Sequence, residues 1–411
     1  MNYRIFPPEE ILETTVARLP LSKSVAARAM VLASLTSSPT AIDPDRIPDC
    51  DDIRVLAAAL ALRTGTADMG ASATAARFMT AFYAATAGTD ITVDGCERLR
   101  RRPIGPLVDA LRRLGADIEY RGADGFLPVA IRGRRLSGGE VDLDASASSQ
   151  FASGLAMIAP TMENPLRIAL GGEIASMPYL KMTMDMLRAR GVETDREGYT
   201  ITVANTPLRP VEAEAEADWS AAAFWYQIAA VTAGWVTLPG LRSDSLQGDR
   251  LLAEIGERFG VVTEFTDEGV ELSATPDLFS RLDMDLRDNP DLVPVIAVVG
   301  CMINTPYRIT GVANLRIKES DRLAALAEEL RKCGWVLEIE PDAIGWEGAT
   351  TPVFEMPRLS PHGDHRLAMA LAPIAVWAPG IVITDCEVVG KSYPGYWDDL
   401  RDAGFRLEEV E

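Results

Sequence analysis

The chain has 411 residues, 47% of them apolar and 24% charged, with a net charge of −20. This composition excludes a disordered or fibrous protein, and the acidic balance excludes nucleic acid and anionic membrane surfaces as partners. It leaves room for a small anionic substrate if cations gather in one cleft, because exposed charges are screened beyond about 8–10 Å.

A chain of this length exceeds one comfortable core, so two domains are expected. The opening stretch, "MNYRIFPPEEILETT", holds charges and two prolines and lacks the apolar core of a signal peptide. The longest apolar run, "LVPVIAVVGCMI" (Leu292–Ile303), is too short to span a bilayer. Cys50, Cys96, Cys301, Cys333 and Cys386 form no CxxC pair and are expected to stay reduced. A cytoplasmic enzyme or binding protein fits these features.

Along the chain, six segments open with small polar residues and continue as Ala-rich helices. They are "SKSVAARAMVLASL" from Ser22, "ASATAARFMTAFYAATAG" from Ala71, "SASSQFASGLAMIAP" from Ser146, "DWSAAAFWYQIAAV" from Asp218, "NPDLVPVIAVVGCM" from Asn289 and "DHRLAMALAPIAVW" from Asp364. Between them run amphipathic helices, with apolar residues three and four apart, closing on Gly115, Gly191, Gly260, Gly334 and Gly404 as C-caps. "DDIRVLAAALAL" is a relative without the glycine, and β-rich stretches such as "EYRGADGFLPVAIRG" and "YTITVAN" follow the helices. The pattern predicts six α/β units with two helices each, three per half, too long to be solenoid repeats. The Ala-rich helices lack a polar face and should be interior, so that their converging N-termini, with free N–H groups and partial positive charge, make an anion trap.

Those N-termini carry the unusual residues. Of 40 basic residues only five are lysine, and Lys23, Lys318 and Lys391 each stand in a polar cluster, "SKS", "RIKESDR" and "GKSYPG". A compact ammonium can donate to phosphate or carry a proton, although an N-cap beside a surface lysine explains "SKS" better taken alone. Arg316, Lys318 and Arg322 crowd a helix start with Glu319 and Asp321, against the dipole preference for cations, which points to an anionic partner. His365 and Arg366 open a hydrophobic helix that could not hold an unpaired charge. His362 and His365, with Asp364, offer too few ligands for a metal site, so none is expected. "GKS" at Gly390–Ser392 lacks the upstream glycine of a phosphate-binding loop and no GxGxxG follows a strand, so no nucleotide cofactor is expected.

In this order and spacing, "SKSVAAR", "RPIGPLVDAL", "SSQF", "SMPY", "NPD", "NLRIKESDRL", "DHRLAMA" and "GKSYPGYW" resemble the 3-phosphoshikimate 1-carboxyvinyltransferase (EPSP synthase) family over nearly the whole chain. The resemblance implies an α/β (α+β) fold: a two-domain inside-out α/β barrel with three βαβαββ repeats per domain and a cleft that closes on substrate. It places one domain at residues 20–216, with the half that binds shikimate 3-phosphate. The second comprises 1–19 and 217–411, with the catalytic carboxylates and the Arg and Lys residues for phosphoenolpyruvate. The implied reaction moves the enolpyruvyl group of phosphoenolpyruvate onto the 5-hydroxyl of shikimate 3-phosphate by addition and elimination, with no metal or organic cofactor. A monomer acting on two small molecules, without nucleic acid or membrane, is expected.

Carried onto this chain, the resemblance puts shikimate 3-phosphate on Lys23, Ser24, Arg28, Ser148, Ser149, Gln150, Ser176, Tyr179, Asp291, Asn314 and Lys318. It puts phosphoenolpyruvate on Lys23, Ala73, Arg102, Gln150, Arg322, Arg366 and Lys391. Asp291 matches the carboxylate beside the reacting hydroxyl, Glu319 the acid near the methylene carbon, and Lys23 is a competing proton carrier. One segment departs: the family's G-N-A-G-T-A-x-R reads "GASATAAR" here, with Ala71 for the Asn and Ala73 for a glycine. The Ala73 methyl is expected to weaken glyphosate inhibition, and the lost Asn amide bears on phosphoenolpyruvate binding. The sister family acting on UDP-N-acetylglucosamine has a Lys-Asn pair in place of Lys23-Ser24 and usually a reactive loop cysteine, whereas Cys96 sits in "DGCERLRRRP", which looks like the shikimate enzyme. A non-catalytic phosphosugar-binding relative would be expected to have lost Asp291, Glu319 or a lysine, and all are present.

Overall fold

The computed structural model describes residues 1–10, 12–16, 19–36, 43–146, 148–172, 174–212 and 215–411. Ala147, inside the "SASSQF" segment, lies outside the described residues. The chain forms two compact units, Met1–Ser22 with Glu216–Glu411, and Lys23–Ala215.

The repeat is written in the sheets. Five four-stranded sheets share one plan, a parallel pair extended by two antiparallel neighbours. In the Lys23–Ala215 unit, Thr64–Asp68 lies parallel to Asp90–Asp94, which pairs antiparallel with Val129–Arg132 and that in turn with Asp117–Tyr120. Gly139–Asp144, Leu166–Gly171, Thr200–Val203 and Thr194–Glu197 repeat this order. The other unit holds three more such sheets. In the two sheets of the Lys23–Ala215 unit and in the sheet of Leu282–Asp285, Tyr307–Thr310, Glu338–Glu340 and Ala343–Trp346 the chain runs strand, helix, strand, helix, strand, strand, whereas the other two sheets take Asn2–Phe6 and Glu13–Thr15 from the N-terminal stretch. Parallel strands need a crossover helix between them, and the last hairpin does not.

Register follows from burial on one face. Ile91 opposes Ile131 and Val93 opposes Val129, all buried, while alternate residues face outward. Helices cover the buried faces. The Ala-rich helices Lys23–Ser34, Ala73–Ala85, Gln150–Ile158, Trp219–Thr232, Val293–Met302 and His365–Leu371 are buried on almost every side.

The glycine C-caps adopt positive φ, from 80° at Gly191 to 99° at Gly115. At Gly115 the following N–H, on Ala116, reaches back to the Leu111 carbonyl at 3.0 Å, the six-to-one bond of a Schellman turn. Two expectations need correction. "LQGDRLLAEIGERFG" is not one amphipathic helix but three short pieces, Gly248–Leu251, Leu252–Ile255 and Gly256–Phe259. Gly256 allows the break to pack tightly, since a Cβ there would lie 2.8 Å from the Val261 carbonyl and 3.1 Å from the Tyr226 ring. The first repeat keeps its helices, Lys23–Ser34 and Asp51–Ala61, but among the described residues has no four-stranded sheet of its own.

All five cysteines are free, and only Cys96 is exposed. Among the described residues no helix is long and apolar enough to cross a membrane. Ile296, at 0% exposure in the Val293–Met302 helix, tests the interior assignment. Ile296→Ala should cost about 2–5 kcal/mol, read as a lower urea midpoint. An unchanged midpoint would show that this helix does not carry the core.

Candidate active site

In the Lys23–Ala215 unit, Lys23 is the first residue of its helix, and its Nζ donates to Asp52 Oδ2 at 2.9 Å. Asp51 and Asp52 both sit at a helix N-terminus, where acids are favoured, but Asp51 is exposed and Asp52 buried. Composition of the first turn hides that difference, so sequence reading missed Asp52.

One turn further, Arg28 is fully buried. It donates from Nε to Thr183 Oγ1 at 2.7 Å and from Nη1 to the Ser24 carbonyl at 2.8 Å. Its guanidinium carbon lies 5.2 Å from the Phe78 ring centroid and 5.9 Å from that of Tyr179. Burial lowers its pKa to about 10, with the Tyr179 hydroxyl acting in the opposite sense. Ser24, Arg28 and Tyr179 are thus brought together.

Arg77 organises the "SSQ" segment, donating from Nη1 to Ser148 Oγ at 3.0 Å and to Gln150 Oε1 at 2.8 Å. Gln150 in turn donates to Thr74 Oγ1 at 2.8 Å. Arg77 was not singled out from sequence, although it is the last letter of "GASATAAR". Among the described residues, neither Ser149 nor Ser176 uses its hydroxyl to cap the helix it precedes, and Ser176 holds a left-handed φ of 62°. Ala73 opens a helix capped by Ser72, and lines a small cavity with Arg77, Leu99 and Arg102.

In the other unit the expected residues meet around one guanidinium. Arg322, 1% exposed, donates from Nε to Asp364 Oδ2 at 2.7 Å, from Nη1 to Asp291 Oδ1 at 2.9 Å and from Nη2 to Glu319 Oε2 at 3.1 Å. Arg366 Nη2 holds the second Asp291 oxygen at 2.8 Å, and Lys391 Nζ holds Glu319 Oε1 at 2.8 Å. Burial opposes charge on Arg322, but Asp364, Glu319 and Asp291 outweigh it and raise its pKa. Burial likewise pushes Asp291 up, and the charges of Arg366, Lys318 and Arg322 overcome this, leaving its carboxyl well below the usual range.

Asp364 was noticed in the sequence only as a weak metal ligand. It caps the His365–Leu371 helix by accepting the Arg366 N–H at 3.0 Å while neutralising Arg322. Asn314 stands in the short turn Ala313–Ile317 that leads to Lys318, and among the described residues its buried Oδ1 has no hydrogen-bond partner. Arg316 is drawn away from this cluster, donating to the Glu340 carbonyl at 2.9 Å and pairing with Asp321 at 3.5 Å. His362 bonds to the buried Glu329 at 2.7 Å. Glu328, Glu329 and His362 come close together, but Lys332 Nζ already lies 2.8 Å from Glu329 and supplies the positive charge there.

Polar side chains at helix starts, cations paired with displaceable carboxylates and a carboxylate held ionised can bind multiply charged anions and move protons beside them. Residues 62–400 match the family profile described as EPSP synthase (3-phosphoshikimate 1-carboxyvinyltransferase). The chain is 41% identical over 414 aligned residues to a 3-phosphoshikimate 1-carboxyvinyltransferase of Bacteroides fragilis, with 100% of each covered. It is 36% identical over 405 residues to one of Syntrophobacter fumaroxidans, covering 92% of this chain and 95% of that protein. Among solved structures, EPSP synthase from Acinetobacter baumannii shares the fold, with a TM-score of 0.77 at 22% identity, covering 99% of this chain and 100% of that one. The chain belongs to the EPSP synthase family, and by that membership is a transferase.

Proposed function

We propose that the protein transfers the enolpyruvyl group of phosphoenolpyruvate to the 5-hydroxyl of shikimate 3-phosphate, releasing phosphate. The reading rests above all on Asp291, a largely buried carboxylate kept ionised by two guanidinium groups at 2.9 and 2.8 Å. Such a group can take a hydroxyl proton at neutral pH while cations beside it receive phosphate and carboxylate oxygens.

In addition, the hydroxyl oxygen bonds to the central carbon of phosphoenolpyruvate, its proton passes to Asp291, and the methylene carbon gains a proton from Glu319 or Lys23. In elimination, the methyl carbon returns a proton, the bond to the phosphate oxygen breaks, and phosphate leaves. Arg322 and Lys391 hold one Glu319 oxygen each and fix its orientation, so Glu319 can make the first donation only after substrate oxygens have drawn those cations away and it has taken up a proton. Lys23 is suited to it because Asp52 anchors its ammonium. No metal or organic cofactor enters the scheme.

The Lys23–Ala215 unit is assigned the shikimate 3-phosphate contacts of Ser24, Arg28, Ser148, Ser149, Gln150, Ser176 and Tyr179. Asp291, Asn314 and Lys318 are assigned to the same substrate. Phosphoenolpyruvate is assigned to Lys23, Ala73, Arg102, Gln150, Arg322, Arg366 and Lys391, where planar guanidinium forks suit its carboxylate and phosphate. The protein is taken to act as a cytoplasmic monomer.

A phosphate-release assay with both substrates tests the reading. Turnover should require both, and Lys23→Met and Asp291→Ala should each lower kcat by about 100-fold or more. Turnover with UDP-N-acetylglucosamine in place of shikimate 3-phosphate would overturn it. A second measurement concerns Ala73, whose methyl faces the small cavity shared with Arg102. Overpacking costs about 1–3 kcal/mol, so Ala73→Gly should tighten glyphosate inhibition by roughly tenfold. An unchanged inhibition constant would show that the methyl does not intrude on the inhibitor.

A further inference from the structure

We propose that Asp249 is a positioning residue of the transfer reaction: through Asn289 it fixes the turn that carries Asp291. The inference rests on the assignment of Asp291 as the base. Asp249 lies in the short turn Gly248–Leu251 and is 2% exposed. Its Oδ1 accepts the Asn289 Nδ2–H at 3.1 Å, and its Oδ2 bonds to Ser220 Oγ at 2.5 Å. All three residues are buried.

The two ends of this bridge differ in kind. Ser220 belongs to a fixed helix start, where its N–H donates to Asp218 Oδ1 at 2.8 Å and the Trp219 N–H to Gln247 Oε1 at 3.0 Å. Asn289 directly precedes the Pro290–Leu292 turn, and its carbonyl accepts the Leu292 N–H at 3.0 Å. The backbone of that turn therefore closes on Asn289, whose side chain ties it to Asp249. Two residues later the Asp291 carboxylate meets Arg322 and Arg366. A shift of about 1 Å at a reacting group can cost two orders of magnitude in rate, so a rigid anchor here has a catalytic consequence.

The charge balance supports the same role. The groups facing Asp249 are Ser220 from its helix, Asn289 and Asp291 from the turn, and Arg366 from the His365–Leu371 helix. Burial, then the charge of Asp291, push the Asp249 carboxyl up, against the opposing effects of Arg366, Ser220 and Asn289. Asp249 therefore holds a proton more readily than Asp291, whose cations keep it ionised, and it accepts hydrogen bonds from both Ser220 and Asn289.

The experiment begins with phosphate release by the wild-type protein. No turnover with both substrates would overturn the functional reading and this proposal together; the variants test Asp249 alone. Asp249→Asn keeps an acceptor for Asn289 and offers an amide N–H to which the rotatable Ser220 hydroxyl can present a lone pair, and should keep kcat within about threefold. Asp249→Ala and Asn289→Ala should each lower kcat by about 10–100-fold, with both KM values changed less than about threefold. The double variant should fall no further than the worse single one, because both changes cut one link. Should Asp249→Ala fail to fold, Asn289→Ala carries the comparison.

A thermal-unfolding series gives an independent sign. An acid whose pKa is raised in the folded state contributes stability below its unfolded value, near 4, and loses it as pH rises. Wild type should therefore lose Tm relative to Asp249→Asn as pH goes from about 4 to 8. Unchanged kcat in folded Asn289→Ala, additive losses in the double variant, an Asp249→Asn defect equal to that of Asp249→Ala, or the opposite slope would each overturn the positioning role.

Discussion

The Arg322 guanidinium is the interaction on which the candidate site of the Met1–Ser22 and Glu216–Glu411 unit depends. A buried cation without partners is prohibitively costly, and three carboxylates from separate stretches of chain converge on this one. Asp291 comes from the turn before the Val293–Met302 helix, Glu319 from the approach to Arg322's own helix, and Asp364 caps the His365–Leu371 helix. One side chain thereby sets the mutual placement of three helix N-termini. The planar fork matters here, because its nitrogens point in fixed directions that a lysine ammonium would not impose.

The same geometry reconciles an acidic protein with anionic substrates. Net charge of −20 describes the surface, whereas Arg322, Arg366 and Lys391 are gathered within one cluster and each is engaged by a carboxylate. Asp291 and Glu319 stand where substrate oxygens are proposed to go, so binding exchanges one set of anions for another without stripping the cations bare. In the Lys23–Ala215 unit the Lys23–Asp52 pair has the same character at smaller scale. These lysines occupy places where a compact charge meets a carboxylate at the start of a helix or in a turn.

The architecture was legible because its signals are local. Alternating apolar residues, Ala-rich runs and capping glycines sit within a dozen residues of one another and repeat along the chain. The 248–259 segment failed because its apolar spacing is helical while Gly248 and Gly256 let the backbone turn more tightly than an α-helix. Short motifs exposed Lys23, Asp291, Glu319, Arg322, Arg366 and Lys391. Asp52, Arg77 and Asp249 escaped for the opposite reason. Their partners lie 29, 73 and 40 residues away, and an acid or arginine in an ordinary helix start carries no mark of what it will meet.

The position of Asp291 also constrains how a base can work here. A carboxylate whose two oxygens are held by Arg322 and Arg366 is ionised but weakly basic, and a general base is most effective when its pKa approaches the working pH. The remedy lies in the same arginines. On the proposed reading, both are claimed by phosphoenolpyruvate, and each hydrogen bond a guanidinium gives to the substrate is one it withdraws from Asp291. Desolvation, which already pushes that carboxyl upward, then acts with less opposition. Basicity rises where the acceptor of the new bond has arrived, and stays suppressed where it has not. The upward push on the Asp249 carboxyl fits this scheme, since a second fully ionised carboxylate would raise Asp291 whether or not substrate were bound.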